Sequence, residues 1–287
     1  MKILITGGTG FIGKHIVNEL KKKHRILCIT RKTIVSGKNI EYIKSDLVNS
    51  EKLIKKIKLF CPSVLIHLAW DGLPDYSKKN SLKNYKISKK FLKIILKINS
   101  FKKLFIAGSC FEYNFLNGRC KENSLTNKKK SQYFAFYKLK LYNWLKKSLK
   151  KNVDLCWLRI FFAYGPGQRK SSLIPLLKNS LKKEKKIIVM YPGNLCDYIY
   201  VKDIAIFFSK AIFADFKTGI YNLGTSKKYS VKYICKIILK KNFKKIIKFS
   251  NNISIKNIKL YADMKKTKKY FKFIARTGLV DGINEVR

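Results

Sequence analysis

An apolar run, Ile3-Leu4-Ile5, ends in Thr6 and passes directly into Gly7-Gly8-Thr9-Gly10-Phe11-Ile12-Gly13 before a helical stretch begins. No other feature constrains the fold as much. A strand that hands over to a helix through glycines must turn sharply, gather backbone N–H groups at the helix N-terminus, and pack the helix close against the strand. The arrangement predicts a seat for a pyrophosphate, with Gly7, Gly10, Phe11, Ile12 and Gly13 around it. A lone GxGxxG is a weak signal; its place between a predicted strand and a predicted helix is what gives it weight. The alternative is a glycine turn with no ligand.

Short β-rich runs and lysine-faced helical stretches alternate through the first half of the chain. Strands are predicted at 2–6, 25–30, 41–44, 64–68, 103–107 and 154–162, with helices at 12–23, 50–60, 82–98 and 131–149. Continuous apolar strands alternating with helices imply an α/β fold, a doubly wound, Rossmann-like parallel sheet covered on both faces. After Gly165-Pro166-Gly167 the rhythm changes, and turn signals such as Pro192-Gly193-Asn194 interrupt shorter elements. The expected organisation is a dinucleotide-binding unit over 1–165, rejoined by strands from about 195–224, with a smaller interleaved lobe made mostly of 166–287.

The formal charge of +48 would ordinarily suggest nucleic acid or a membrane surface. Here the excess is nearly all lysine and is spread along the whole chain, as A/T-rich codons would produce, rather than clustered with arginine on one face. Runs such as Lys21-Lys22-Lys23 and Lys128-Lys129-Lys130 read as solvated helix ends or loop tips. Neither nucleic acid nor membrane is expected as a partner, and the field favours an anionic diphosphate ligand. The seven cysteines show no CxxC pair and no metal-ligand spacing, which predicts free thiols in a reducing compartment and no metal. No apolar stretch reaches the roughly 18 residues needed to span a bilayer, and the first residues enter a strand with no signal-peptide pattern, so a cytoplasmic location is expected.

The end of the second strand discriminates between nicotinamide coenzymes, because a carboxylate accepts from a free ribose 2′-hydroxyl while an arginine pairs with a 2′-phosphate. Thr30-Arg31-Lys32 stands there, so Arg31 favours NADP, with NAD as the alternative. Asp46, in Asp46-Leu47 after the third strand, is a candidate acceptor for the adenine amino group or else a helix N-cap.

At this point the sequence resembles the extended short-chain dehydrogenase/reductase family of nucleotide-sugar epimerases, dehydratases and 4-ketoreductases. The matching motifs are the glycine loop, Asp46-Leu47, His67-Leu68-Ala69, Asn84, Ser109 followed by Tyr113, Arg159 with Tyr164-Gly165-Pro166, the run from Asp197 to Asp203, and Asn222-Leu223-Gly224. The resemblance implies coenzyme contacts at Leu47, Leu68 and Ala69, a nucleotide-diphosphate sugar as substrate, and a homodimer packed through two helices. It also implies a catalytic trio in which a hydroxyl residue steadies the sugar oxygen, a tyrosine moves the proton, and a lysine holds the nicotinamide ribose. Ser109 matches the hydroxyl position, a turn-capping serine being the alternative reading.

The tyrosine position departs from the pattern. Four residues before Lys138, where YxxxK would place tyrosine one helical turn away, stands Phe134. Tyr133 is five residues from Lys138 and Tyr137 is adjacent to it, so both point elsewhere. A literal YxxxK at Tyr142 and Lys146 leaves 17 residues to Arg159, whereas Asn84, Ser109, Phe134 and Arg159 are evenly spaced by 25, so the site is assigned to Phe134 and Lys138. Phenylalanine keeps the ring and carries no ionisable proton. Three explanations stand: a deliberate replacement that traps substrate, a different acid in the natural protein, or lost turnover. The intact surroundings favour the first two over the third.

Dehydratases of the family carry acidic residues directly after the hydroxyl position; here Cys110 and Phe111 stand there and Glu112 comes one place late. What remains is chemistry needing a hydride and one proton, either reduction of a 4-keto-6-deoxy sugar or 4-epimerisation. The NADP preference favours the reductase. A silent coenzyme-binding or regulatory protein is the reading from another class. On the substrate side, Cys110, Phe111 and Tyr198 are expected at the sugar. Phe162 and Cys196 replace the asparagine and the diphosphate-clamping arginine of many relatives, so Arg169 or nearby lysines are the candidates for the missing charge.

Overall fold

A computed structural model of the chain describes residues 1–48, 51–114, 118–126, 132–250 and 258–286. Its centre is a seven-stranded sheet of β1 (Lys2–Thr6), β2 (Arg25–Thr30), β3 (Ile40–Lys44), β4 (Val64–His67), β5 (Lys103–Ser109), β6 (Asp154–Ile160) and β7 (Gly219–Leu223). The order across the sheet is β7-β6-β5-β4-β1-β2-β3, and every pairing is parallel. Chain order reverses direction between β1 and β4, the switch point at which open α/β sheets bind ligands beyond the strand ends. The expected doubly wound fold is what the chain adopts.

The unbroken apolar strands have a direct cause. Ile3, Ile5, Val64, Ile66 and Phe105 belong to the core on one face, while Leu4, Leu65, Leu104 and Ile106 belong to the core on the other. Successive strand side chains point to opposite faces, so a strand covered by helices on both sides must be apolar at every position. One layer includes α1 (Phe11–Leu20), whose Ile16, Val17 and Leu20 are buried. The other includes α2 (Glu51–Phe60), α3 (Lys78–Ile95) and α4 (Tyr133–Ser148). The predicted helix starts at residues 50 and 131, and the lysine run 128–130, lie outside the described residues.

Beyond the sheet, Tyr229–Ser230, Leu195–Cys196, Lys259–Ala262 and Gly118–Cys120 form a small four-stranded sheet. The strand expected over 154–162 proves to be two: after Ile160 the chain leaves the main sheet, and Phe162–Tyr164 pairs with Tyr198–Tyr200 instead. At the break Phe161 N donates to Leu223 O at 2.9 Å and Phe162 N donates to Asp197 O at 3.0 Å. Both partners are distant in sequence, so a continuous apolar run gave no sign of the break. Asp197 is fully buried and accepts from Thr225 N and Oγ1, Ser226 N and Ala262 N, which ties the chain after β7 to the small sheet.

Candidate functional site

The C-terminal ends of β1, β2, β4 and β5 converge on one crevice, with the first turns of α1 and α4 beside it. The glycine loop forms its floor. A Cβ on Gly13 would lie 2.1 Å from Gly7 O and 2.7 Å from Gly8 Cα, and one on Gly7, whose φ is +72°, would lie 2.8 Å from Ala69 N. Gly10 caps α1 in an extended conformation without a side-chain hydrogen bond, and the first turn of that helix holds no acidic residue. Free N–H groups at the positive end of a ten-residue helix, approached through backbone that no side chain can cover, fit a pyrophosphate. Leu68 and Ala69 border this cradle directly.

At the adenosine end, Arg31 extends from β2 and forms a two-pronged ion pair with Asp71, Nη1 to Oδ2 at 2.9 Å and Nη2 to Oδ1 at 2.7 Å. The guanidinium holds the Asp71 carboxyl below the usual carboxylate range. Asp46 is exposed and lies five residues ahead of α2, too far to act as its N-cap. Leu47 packs against the core under the same end.

Phe134 and Lys138 share one face of α4. The Lys138 ammonium donates to Ala107 O at 2.7 Å, lies 4.1 Å from the centre of the Trp70 ring, and is 5.8 Å from that of Phe134. Burial pushes its pKa down to about 7, opposed by the charge of Glu112. Tyr133, Tyr137 and Tyr142 pack into the helical layer; Tyr137 lies against Tyr85 and Tyr142 against Trp157.

Ser109, at the end of β5, caps the short turn Cys110–Glu112: its Oγ accepts from Phe111 N, and its own N–H donates to Glu112 Oε1. The cap uses the Ser109 hydroxyl only as an acceptor, so the same side chain can also donate. Phe111 meets the rings of Phe134, Phe162 and Tyr76. Cys110, expected at the sugar, is turned inward. It packs with Tyr113, Cys120 and Phe161, and burial pushes its thiol well up. The reason is the tight turn, which sends consecutive side chains in different directions. Tyr198 is buried between Phe162 and Tyr164. Arg169 is exposed on the loop after Tyr164-Gly165-Pro166, which is held to α1 by His15 Nε2 donating to Pro166 O at 2.9 Å.

Several motif residues are frame rather than site. Glu112 is fully buried, receiving Arg159 Nε at 2.8 Å and Trp157 Nε1 at 3.0 Å. Tyr113 donates to Asn222 Oδ1 at 2.6 Å. His67 lies between Thr6 Oγ1 and Ser88 Oγ, and burial drives its pKa down to about 3. Between about pH 6.5 and 3 the unfolded chain therefore binds a proton that the native imidazole refuses, so stability falls with pH through that window. The cost at pH 5 relative to pH 7 is expected to be about 2 kcal/mol, and His67→Gln should remove that share of the pH dependence in urea unfolding. An unchanged pH dependence in the variant would contradict the assignment.

The sequence pattern of the family described as "NAD dependent epimerase/dehydratase family" matches residues 3–224. The chain belongs to that family. It is therefore an enzyme of the nicotinamide-dependent oxidoreductase and epimerase kind, and its curated relatives are nucleotide-sugar enzymes. The dTDP-6-deoxy-L-talose 4-dehydrogenase (NAD(+)) of Aggregatibacter actinomycetemcomitans is 24% identical, with 81% of this chain and 87% of the relative covered. The dTDP-4-dehydro-6-deoxyglucose reductase of Escherichia coli is 26% identical, covering 99% of this chain and 96% of the relative. The UDP-glucuronic acid 4-epimerase of Bacillus cereus, solved with UDP-glucuronic acid and NAD, has the same fold: TM-score 0.86, 20% identity, 99% of this chain and 97% of that one covered.

For a member of this family, the site contains residues that pattern reading missed. Trp70 roofs the Lys138 ammonium, Asp71 occupies Arg31, and Tyr76 meets Phe134 edge to face with ring centres 5.4 Å apart. Trp70 and Asp71 follow immediately on His67-Leu68-Ala69, and Tyr76 stands five residues further along the same loop. The signal available was positional: loops leaving the C-terminal ends of parallel strands line the ligand crevice. Among the described residues no cluster of His, Cys, Asp or Glu could hold a metal, and no helix is long and apolar enough to cross a membrane.

Proposed function

We propose that the chain reduces the 4-keto group of a 6-deoxy nucleotide-diphosphate sugar, using NADPH. The observation that carries this reading is the juxtaposition of Ser109, Lys138 and the glycine cradle while Glu112 is consumed by Arg159 and Trp157. That leaves chemistry needing one hydride and one proton, without the extra acid and base of a water elimination. The two curated relatives described above carry names for oxidoreduction of 6-deoxyhexose nucleotides, which supports the same reading.

Bound reduced nicotinamide supplies the hydride. The chain supplies the rest. Gly7, Gly10, Phe11, Ile12 and Gly13 seat the pyrophosphate on α1, with Leu68 and Ala69 beside it, and Asp46 and Leu47 line the adenine end. Lys138 holds the nicotinamide ribose, its ammonium oriented by Ala107 O. Ser109 donates a hydrogen bond from its hydroxyl to the sugar carbonyl oxygen. Phe134 holds the tyrosine's place without a proton. Phe111 and Tyr198 wall the sugar, with Cys110 behind them in the core, and Arg169 meets its diphosphate. Residues 1–165 form the coenzyme unit and 166–287 mostly the sugar lobe. The chain works as a homodimer in the cytoplasm, a reducing compartment that would keep its seven cysteines, six of them buried, as free thiols.

The assay is coenzyme oxidation with a dTDP-4-keto-6-deoxyhexose, NADPH against NADH. NADPH should be preferred, and Arg31→Ala should cut that preference by about 10- to 100-fold, the worth of a charge-assisted hydrogen bond pair. Equal use of both coenzymes by the unaltered protein removes the NADP assignment. The Arg31–Asp71 pair favours a second reading, an NAD-dependent 4-epimerase, because a guanidinium already neutralised offers less to a 2′-phosphate. Interconversion of C4 epimers with no net coenzyme consumption would establish it. Coenzyme binding without turnover of either kind would point to a sensor.

A further inference from the structure

Phe134 leaves the crevice without the proton that reduction of a ketone requires, and one phenol outside the family's trio stands close enough to matter. Tyr76 lies at the mouth of the site, 42% exposed, with its ring edge-on to Phe134 at 5.4 Å and to Phe111 at 6.0 Å between centres. It thus touches both the residue in the tyrosine's place and the aromatic wall proposed for the sugar.

Its loop is built rather than slack. Asp75 N donates to Gly72 O, Asn80 Nδ2 donates to Asp71 O and Asp75 O, Asn84 Nδ2 donates to Asp71 O, and Asn84 Oδ1 accepts from Asp71 N at 2.6 Å. Ser77, the next residue, caps α3 through Asn80 N. Arg31 ties the same loop to the end of β2 through Asp71. A side chain presented from such a frame has a defined direction, which a proton donor needs.

We propose that Tyr76 is the acid of this site, giving the sugar oxygen the proton that Phe134 cannot. The inference rests on the ketoreductase reading. Hydride arriving at the carbonyl carbon opens the C=O π bond; the oxygen takes the phenolic proton of Tyr76 and becomes the hydroxyl. The phenolate left behind recovers a proton from water, to which Tyr76 is open. The sum is ketone, reduced coenzyme and one solvent proton converted to alcohol and oxidised coenzyme.

The test is a double-mutant cycle on the full-length protein, read as kcat together with NADPH affinity by fluorescence titration. Tyr76→Phe keeps the ring packing and removes only the hydroxyl. In the unaltered protein it should lower kcat at least about tenfold with NADPH affinity unchanged, and in the Phe134→Tyr background it should change kcat by less than about threefold, because general-acid catalysis is then supplied elsewhere. Unchanged kcat in the first background overturns the proposal. Equal losses in both backgrounds also overturn it, showing a packing role. Turnover by Phe134→Tyr with none by the unaltered protein removes Tyr76 and leaves the ketoreductase reading standing. No turnover by either removes both.

Discussion

Replacing Phe134 with tyrosine should raise kcat for reduction of a 4-keto nucleotide sugar by about 10- to 10³-fold, the range that a positioned general acid contributes less the roughly tenfold that Tyr76 already supplies. The environment for a tyrosine is already present. Position 134 is nine-tenths buried, its ring is held by Trp70 and Phe111, and the Lys138 ammonium lies 5.8 Å from the ring centre, one helical turn away. A cation so placed favours the phenolate and brings the tyrosine's pKa toward working pH. Steady-state kinetics at saturating coenzyme would measure the change. A variant that binds coenzyme as before and shows no gain would mean that the reacting sugar oxygen is not delivered to this end of α4.

Gly13→Ala should weaken coenzyme binding by up to about 100-fold. The added Cβ would sit 2.1 Å from Gly7 O and 2.7 Å from Gly8 Cα. Both are backbone atoms that cannot rotate away, so α1 must retreat from β1 and carry its N–H groups off the pyrophosphate seat. Overpacking by one carbon costs about 3 kcal/mol at the upper end, equivalent to roughly two decades in a dissociation constant. Calorimetric titration of NADPH and NADH into the variant would check this. Gly10→Ala, whose Cβ would meet only Gly7 O at 3.2 Å, is the milder control. Native affinity in Gly13→Ala would show that the coenzyme does not use this loop.

The two substitutions probe the same crevice from opposite sides, and they separate its functions. Loss at Gly13 concerns binding, while gain at Phe134 concerns turnover. A protein that responds to the first and not to the second binds coenzyme for another purpose.

Much of this site was legible in the chain because it is encoded locally. The glycine loop works through neighbours within one strand–helix turn, and Phe134 and Lys138 are related by a single helical repeat, so spacing alone predicted their shared face. The alternating cores on the two sheet faces were equally legible, since an apolar residue at every strand position has one explanation in an α/β fold. Where reading failed, the partners were far apart in sequence. Cys110 was expected at the sugar, and the turn it occupies buries it with Cys120 and Phe161. Arg31 is legible as a candidate for a 2′-phosphate, whereas its ion pair with Asp71, 40 residues later on another strand's loop, is visible only in the fold.

What the sequence by itself determined was therefore the parallel sheet, the tight glycine loop and the phenylalanine one helical turn before Lys138, all of which follow from periodicity, glycine geometry and residue chemistry at short range. Only the tertiary structure decided which charges are spent on each other and which rings enclose the reacting end. Burial and pairing depend on segments brought together from opposite ends of strands, and no local pattern records that: Glu112 meets Arg159 across 47 positions, and Tyr76 reaches Phe134 only because β4 and β5 lie side by side.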